Sequence, residues 1–349
     1  MKNNLPHCIV ALILLLGGRL GADENRDIKI VGVQKIWDAA PHNAFTDLER
    51  FNGSWYCAFR EGHGHAGGGD YGKIRVIASN NGTAWKSVAL LQTKRVDLRD
   101  AKLSITPTGE LLLNSCEYRV DDDSADIRNN TSVTYRSKNG TDWSVGTQIA
   151  DKGYWLWQTT WRGDTGYALG YQWGNRDATR FYRTTDGNQY TLHVDHLRPP
   201  GDRSNEHAMF FDAEGRAHML LRRDNAQSKT GGYALLGQAE PPYTDWEWRR
   251  LNITLGGPSM IQLPDGRVLA CVRRYADENH RNWGSQWTEL GWINIQTAKY
   301  TPAAKLPSGG DSSYAGLLWH NGLLWISYYS SHSGKTSIYL AKAKIAGLK

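Results

Sequence analysis

The sequence predicts an all-β fold, a six-bladed β-propeller whose blades are four-stranded antiparallel sheets. A turn residue followed by glycine and an apolar segment occurs six times, and the glycines are 56, 57, 49, 51 and 56 residues apart. A period near 50 residues is typical of propellers, and no stretch longer than about ten residues keeps a helical periodicity. The six turns are Asn52-Gly53, Thr108-Gly109, Thr165-Gly166, Glu214-Gly215, Asp265-Gly266 and Asn321-Gly322.

Each of these turns has apolar residues on both sides, as at residues 260–263 and 268–272, which indicates one β-hairpin per repeat. One hairpin is half of a four-stranded blade. A second kind of turn, followed by an aromatic residue, marks the other half in three repeats. These turns are Ser79-Asn80-Asn81-Gly82 with Trp85, Ser137-Lys138-Asn139-Gly140 with Trp143, and Thr184-Thr185-Asp186-Gly187 with Tyr190.

Residues 1–22 have the features of a signal peptide, with Lys2 at the start, an apolar run at residues 9–16, and small residues at Gly21 and Ala22. That run is about half the length of a membrane-spanning helix, and no later segment is longer. We therefore expect a secreted or periplasmic protein without a membrane span. Residues 28–349 show no change of composition that would mark a linker, so we expect a single domain.

The formal net charge is +6, and removal of Lys2 and Arg19 with the leader changes it to +4. No block of Lys and Arg resembles a nucleic-acid-binding face, so nucleic acid is not an expected partner. Cys57, Cys116 and Cys271 remain after the leader, without a CxxC pair, and indicate buried free thiols. We expect a monomer.

The innermost strand of a propeller blade leads into the hairpin, so the residues eight or nine positions before each turn glycine should surround one end of the central channel, here called the mouth. They are Ala44, Asp100, Trp157, Glu206, Gly257 and Tyr314. The second strand returns to the same end, and the residues seven positions after each glycine are Arg60, Cys116, Trp173, Arg222, Arg273 and Tyr329.

Three of the six second-strand positions are arginines: Arg60, Arg222 and Arg273. Guanidinium groups from three blades around one pocket would suit a carboxylate or a sulfate. Glu206 and Tyr314 also belong at the mouth, where a tyrosine beside a carboxylate can be deprotonated as it attacks an anomeric carbon. A neutral phenol avoids the repulsion that a carboxylate nucleophile meets at an acidic sugar.

Taken together, these residues resemble the sialidase superfamily, over most of the chain and in repeat order. Glu206, followed sixteen residues later by Arg222, is similar to the family's catalytic glutamate and triad arginine. Tyr314-Ala315-Gly316-Leu317 is similar to its nucleophile motif, and the turns at residues 79–82, 137–140 and 184–187 resemble its Asp-box, with Asn in place of Asp in two of them. Asp70, after Gly67-Gly68-Gly69, stands where the family's general acid is found.

The resemblance implies a retaining exo-α-sialidase that needs no cofactor and acts on sialylated or other acidic glycans. Tyr314 would be the nucleophile, Glu206 its base and Asp70 the acid, and Arg222, Arg273 and Arg60 would bind the carboxylate. One departure is clear. Ala44-Phe45-Thr46-Asp47-Leu48 occupies the place of the family's first triad arginine, which is missing.

Four further residues are candidates for substrate binding: Asp100, Arg99, His63 and His65. His63, His65 and Asp70 fit no closed zinc pattern, so no metal site is predicted. Gly62-His63-Gly64-His65-Ala66-Gly67 satisfies GxGxxG, but no helix follows it, which excludes a dinucleotide-binding turn. A polysaccharide lyase, another glycosidase acting on acidic glycans, and a glycan-binding propeller without turnover remain as alternatives.

Overall fold

The structure of the protein is a computed structural model that describes residues 27–66, 70–119, 130–172, 178–224, 232–276 and 285–349. The predicted leader, the glycine run at residues 67–69 and Trp173 lie outside these ranges. Every helix or strand element in them is a β-strand, so no described helix is suited to crossing a membrane. The strands form six antiparallel sheets.

The first three blades follow the chain from the first hairpin onward. Blade one comprises β2 (His42–Phe51), β3 (Ser54–Gly62), β4 (Lys73–Ser79) and β5 (Lys86–Leu91). Blade two comprises β6 (Val96–Ile105), β7 (Leu111–Arg119), β8 (Asn130–Ser137) and β9 (Thr147–Gln148). Blade three comprises β10 (Trp155–Leu156), β11 (Thr160–Arg162), β12 (Thr165–Tyr171), β13 (Thr179–Thr184) and β14 (Thr191–Asp195), and its innermost strand is split into β10 and β11.

The last three blades complete the ring. Blade four comprises β15 (Ser204–Phe211), β16 (Ala217–Arg223), β17 (Tyr233–Ala239) and β18 (Glu247–Thr254). Blade five comprises β19 (Gly256–Gln262), β20 (Val268–Arg274), β21 (Trp287–Asn294) and β22 (Lys299–Lys305). Blade six comprises β23 (Ser312–His320), β24 (Leu323–Ser330), β25 (Ser337–Ile345) and, as its outermost strand, β1 (Ile28–Trp37).

The six sheets are the blades of a β-propeller, and the predicted fold is confirmed. The innermost strands of neighbouring blades contact one another, β2 with β6 and β15 with β19, while β23 contacts both β19 and β2. The cores lie largely between blades. Trp55 of blade one, for example, stacks on Trp325 of blade six, with ring centroids 4.0 Å apart.

A β-bulge interrupts the innermost strand near the mouth in five blades. The pairing register shifts after Ala44, Arg99, Ser204, Gly256 and Ser313. Such a bulge inserts an extra residue and turns its side chain away from the alternation of the strand. In four blades a bulge residue has a positive φ, namely Phe45 at 61°, Asp100 at 54°, Gly257 at 52° and Tyr314 at 50°.

The bulges show that one residue of the predicted ring at the mouth is wrong. Counting from the turn glycine placed Ala44 in that ring, whereas Phe45 has the bulge conformation that Tyr314 has in blade six. On the second strands, Arg60, Cys116, Arg273 and Tyr329 each pair with the residue just before a bulge, so they share one register.

The three aromatic-marked turns share one hydrogen-bond pattern. Asn81 Oδ1 accepts from the backbone N–H of Thr83 and Ala84, and Asn139 and Asp186 accept in the same way from residues two and three positions later. The turn glycine donates its N–H to the hydroxyl of Ser79, Ser137 or Thr184. The amide oxygens of Asn81 and Asn139 therefore accept the same pair of backbone hydrogen bonds as the carboxylate of Asp186.

Candidate active site

Glu206 is the centre of a hydrogen-bonded group at the mouth. Its Oε1 accepts from the Tyr314 hydroxyl and from Arg222 Nη1, both at 2.6 Å, and its Oε2 accepts from the Gly257 N–H at 2.9 Å. Glu206, Tyr314 and Arg222 are nearly buried, with 5%, 6% and 8% of their surfaces exposed. The bulges of blades four, five and six bring these groups together, and the hydroxyl–carboxylate distance is suitable for direct proton transfer.

Tyr314 is enclosed by rings and cations. Its ring centroid lies 4.9 Å from the Arg273 guanidinium carbon, 5.1 Å from the Phe45 ring and 6.0 Å from the Trp157 ring. Burial, followed by the negative charge of Glu206, raises the pKa of Tyr314 well above its ordinary value, although Arg222 and Arg273 oppose the shift. The resting residue is a phenol, so it needs a base before it can act as a nucleophile.

Arg222 already has an acidic partner of its own. Its Nε and Nη2 donate to the two oxygens of Asp224 at 3.0 and 3.1 Å, and Asn205 donates to Asp224 Oδ2 at 2.9 Å. The remaining nitrogen, Nη1, contacts Glu206 and lies 3.1 Å from the Tyr314 hydroxyl. The guanidinium therefore orients the Glu206–Tyr314 pair.

Arg273 belongs to a second group, centred on Asp311. Its Nε donates to the Ser312 carbonyl at 2.8 Å, its Nη2 donates to the Tyr329 hydroxyl at 2.6 Å, and Asp311 Oδ1 lies 3.6 Å from Nη2. The Tyr329 hydroxyl in turn donates to Asp311 at 2.8 Å. The Arg273 guanidinium therefore lies over the Tyr314 ring while Ser312 and Tyr329 accept its hydrogen bonds.

Two histidines share the other oxygen of Asp311. His42 Nε2 and His65 Nδ1 lie 2.9 and 2.7 Å from Asp311 Oδ2. Burial tends to raise the pKa of Asp311, but the hydrogen bonds from both histidines and the charge of Arg273 hold it below its usual range. Burial lowers the pKa of His65 although Asp311 opposes the shift, so a neutral imidazole is favoured at neutral pH.

The same three side chains are the only group of potential metal ligands found among the described residues, with ligand atoms within 4.8 Å of one another. Two imidazoles and a carboxylate suit a divalent transition metal. However, Asp311 is also next to the Arg273 guanidinium, and a second positive charge beside that cation opposes binding. The donor set is suitable, but its electrostatic surroundings are not.

Arg60 and Asp70 form a separate group on blade one. Arg60 is fully buried, its Nε donates to Asp97 at 2.6 Å, and its Nη2 lies 3.1 Å from Asp70. Burial tends to raise the pKa of Asp70, but the backbone N–H groups of Gly64 and His63, followed by Arg60, lower it to about 2. This side chain is therefore a carboxylate at neutral pH, whereas a general acid must begin protonated.

Asp100 has the opposite properties. It is 8% exposed, and its Oδ1 is buried without a hydrogen-bond partner among the described residues. Burial raises its pKa to about 6, with Arg99 opposing the shift and Glu206 adding to it. Both carboxyl groups belong to bulges of innermost strands, Asp100 in blade two and Glu206 in blade four. Asp100 is the carboxyl group here that can hold a proton near neutral pH.

Arg99 and His63 complete the predicted candidates. The Arg99 guanidinium carbon lies 5.5 Å from the centre of the Phe45 ring, and its Nη2 donates to the His65 carbonyl at 3.2 Å. His63 is on the rim, with an exposed side chain whose Nδ1 lies 3.5 Å from Asp70. The structure therefore brings Tyr314, Glu206, Arg222, Arg273, Asp100 and Arg99 to the mouth, connects His65 to them through Asp311, and places Arg60, Asp70 and His63 beside them on blade one.

Sequence reasoning missed two partners of the site, Asp224 and His42. Asp224 lies two residues after Arg222, where the i and i+2 side chains of a strand share a face, and that spacing was a usable signal. His42 lies at the start of β2, and its partner Asp311 is 269 residues away, so no local pattern connects them.

The fold is found in many proteins of known structure. A protein of unknown function from Dyadobacter fermentans superposes with a TM-score of 0.74 and 15% identity, over 92% of this chain and all of that one. Trypanosoma rangeli sialidase superposes with a TM-score of 0.66 and 12% identity, over 87% of this chain and 55% of that one. The chain has the sialidase-like propeller fold. It spans little more than half the length of that sialidase.

The same sialidase-like propeller is similar to a Penicillium chrysogenum α-L-arabinanase solved with arabinobiose. That protein superposes with a TM-score of 0.66 and 12% identity, over 89% of this chain and 98% of the arabinanase. No model of a known protein family matches the sequence, and no curated protein does. Identities this low establish the fold alone, and the site has to be argued from its own residues.

Proposed function

We propose that this protein is a retaining exo-glycosidase that removes a terminal sugar from a glycan, with Tyr314 as its nucleophile and Glu206 as the base. The observation that carries the proposal is the 2.6 Å hydrogen bond from the Tyr314 hydroxyl to Glu206 Oε1, at the mouth of the propeller. The likeness of the fold to a sialidase and to an arabinanase, both of which act on glycans, supports it.

In the first step the Tyr314 proton moves to Glu206 while the phenolic oxygen bonds to the anomeric carbon and the glycosidic C–O bond breaks. Arg222 and Arg273 stabilise the developing phenolate, because one donates to its oxygen and the other lies over its ring. In the second step a water molecule displaces the tyrosine, and the proton on Glu206 returns to the phenolic oxygen. Two displacements give net retention.

The leaving oxygen also needs a proton, and two carboxyl groups compete for that role. The sequence predicts Asp70, but Arg60 and two backbone N–H groups hold it as a carboxylate. Asp100 has the raised pKa that a general acid requires. We assign the proton donation to Asp100, and in the second step its carboxylate accepts a proton from the attacking water. Asp70 then positions Arg60.

As for the sugar itself, the sequence-based hypothesis is a terminal sialic acid. It depends on the arginines being available to a carboxylate, and a substrate panel tests it directly. The purified protein is incubated with fluorogenic glycosides that include an α-sialoside, and release is compared for wild type, Tyr314→Phe and Glu206→Gln.

Tyr328→Phe is the matched control, because this buried tyrosine in the neighbouring strand of blade six donates its hydroxyl to the Pro307 carbonyl, away from Glu206. We expect the rate of release to fall by at least about a thousandfold in Tyr314→Phe and Glu206→Gln. The control should release the fluorophore at the wild-type rate. Release that persists in Tyr314→Phe would exclude the tyrosine as nucleophile. A product that absorbs in the ultraviolet would indicate a lyase, and glycan binding without release would indicate a binding module.

A further inference from the structure

We infer that the sugar taken at this mouth is uncharged, a neutral pyranose or furanose, and that the arginines of the site hold the protein's own carboxylates instead of a substrate carboxylate. The inference rests on the proposed function, since it names the substrate class of the same site. It is carried by the pairing of each arginine around Tyr314.

Arg222 has no free pair of parallel N–H donors for an incoming carboxylate, since four of its five N–H groups already have partners. Its Nε and Nη2 form the two-pronged pair with Asp224, and its Nη1 contacts Glu206 and the Tyr314 hydroxyl. A guanidinium recognises a carboxylate by two parallel N–H···O bonds from one edge. A substrate carboxylate would have to displace Asp224 from that edge and leave this half-buried carboxylate without its cation.

Arg273 is held in a similar way. Two of its nitrogens donate to the Ser312 carbonyl and the Tyr329 hydroxyl, and Asp311 lies 3.6 Å away. Its charge is opposed by Asp311, whose pKa is held below its usual range and which is therefore ionised. A second carboxylate brought beside Arg273 would approach Asp311 as well, and like charges at that distance repel.

Arg60 and Arg99 are also close to carboxylates of the protein. Arg60 faces Asp97 at 2.6 Å and Asp70 at 3.1 Å, and Arg99 lies 3.9 Å from Asp97. Among the described residues, each of these four arginines thus has a carboxylate within 4 Å. The negative charges at the mouth at least match the positive ones, so an anion gains little and meets repulsion on entry.

The side chain at the bulge of blade one completes the argument. Phe45 has the bulge position in blade one, and its ring lies 5.0 Å from the His65 ring and 5.4 Å from the Tyr329 ring. An apolar ring here cannot pair with an anion, and it fills the space between Tyr314 and the Asp311 group. A neutral sugar needs only hydrogen bonds and an apolar wall, which this mouth retains.

The test uses matched pairs of fluorogenic glycosides that have the same ring and anomeric configuration and differ only in a C6 carboxylate. The pairs are galactoside with galacturonide and glucoside with glucuronide, in both anomers, with α-L-arabinofuranoside and α-sialoside added. Initial rates are measured for wild type, Asp311→Asn and Asp224→Asn. Asp265→Asn, which removes the acid of the Arg267 pair in a surface turn, is the control. Binding is measured by tryptophan fluorescence, since the chain has 15 Trp.

We expect wild type to cleave a neutral glycoside at least 10-fold faster than its acidic counterpart and to leave the sialoside intact. Asp311→Asn or Asp224→Asn should narrow that preference at least 10-fold by releasing an arginine, and Asp265→Asn should not. Two substitutions are used so that the preference can still be tested if one of the variants fails to fold.

Two results would separate the failure of this inference from the failure of the proposed function. Cleavage of the sialoside, or of any acidic glycoside as fast as its neutral counterpart, would contradict the preference for a neutral sugar but support the glycosidase activity. If no glycoside is cleaved but the neutral member of a pair binds more tightly, the glycosidase activity is contradicted and the preference for a neutral sugar is supported. Neither release nor binding would overturn both.

Discussion

Arg222 contacts Glu206 and Tyr314 through a single nitrogen, since Nη1 lies 2.6 Å from Glu206 Oε1 and 3.1 Å from the Tyr314 hydroxyl. Its other two nitrogens, Nε and Nη2, each donate to Asp224. The orientation of the Glu206–Tyr314 pair therefore depends on a carboxylate outside that pair.

Arg222→Lys should lower kcat/KM by about a hundredfold, equivalent to about 2.7 kcal/mol of transition-state stabilisation, because an ammonium cannot hold Asp224 and Glu206 from two edges. Arg222→Met should also lower the free energy of unfolding by about 3–5 kcal/mol, since the buried Glu206 and the half-buried Asp224 lose their cation. Steady-state kinetics and urea titration measure the two effects. Arg216→Lys, in an exposed pair with Glu240, should change neither. Wild-type kinetics in Arg222→Lys would show that the arginine does not orient the pair.

If Asp100 donates the proton, kcat/KM should fall as the pH rises above about 6, because the acid loses its proton there. Asp100→Asn should abolish most of the activity and remove that limb from the pH–rate profile. Asp70→Asn should lower activity but keep the limb, since its pKa of about 2 lies far below it. A limb that disappears in Asp70→Asn and persists in Asp100→Asn would return the acid role to Asp70.

Asp100→Asn should at the same time make the protein more stable near neutral pH. The pKa of this carboxyl is raised on folding, so its contribution is favourable below about pH 4, where both states are protonated, and is lost as the pH rises through about 6. Removing the ionisable group should raise the free energy of unfolding at pH 7 by roughly 3 kcal/mol. Urea titrations at pH 4 and pH 7 measure it, and a gain at pH 4 only would contradict it.

Gly140→Ala should cost about 3 kcal/mol, and Gly109→Ala only about 1 kcal/mol. Both glycines have a left-handed φ, 78° and 77°, so any Cβ is strained in either position. The difference is space, because a Cβ on Gly140 would overlap the Tyr56 ring of the neighbouring blade, whereas a Cβ on Gly109 meets nothing within 4 Å. Thermal or urea unfolding of the two variants measures it, and equal losses would show that the Tyr56 contact is not tight.

Asn81→Asp should change the free energy of unfolding by less than about 0.5 kcal/mol, while Asn81→Ala should lower it by about 1 kcal/mol. An aspartate keeps the oxygen that accepts from the Thr83 and Ala84 N–H groups, as Asp186 does in its own turn, and alanine does not. Urea titration of both variants is the measurement. A large loss in Asn81→Asp would mean that the amide nitrogen also matters.

The fold was predictable because each blade repeats the same local information. Turn residues with a left-handed φ, such as Gly109 and Gly266, recur at similar intervals and determine the hairpins from local sequence alone. The register of the second strands followed from the same count, which is why Arg60 and Arg273 occupy equivalent positions.

The site was predictable only in part, because pairing between blades leaves no local pattern. Glu206 and Tyr314 could be placed at the mouth from their repeats, but the Asp224 partner of Arg222 and the His42–Asp311 contact depend on how side chains meet in three dimensions. The bulge also shifts blade one by one residue, so the count indicated Ala44 where Phe45 belongs. The charge state of Asp70 depends on Arg60 and on two backbone N–H groups, and composition does not reveal it.

The pairing of β1 with β25 determines when the protein can become a closed ring. A ribosome makes residues 28–37 before any blade exists, but their partner strand is residues 337–345, so the edge of the first strand stays unpaired until those residues have been made. Closure of the ring therefore follows the synthesis of all six blades. A nascent chain without blade six would expose unpaired strand edges, and we expect it to depend on chaperones or to aggregate.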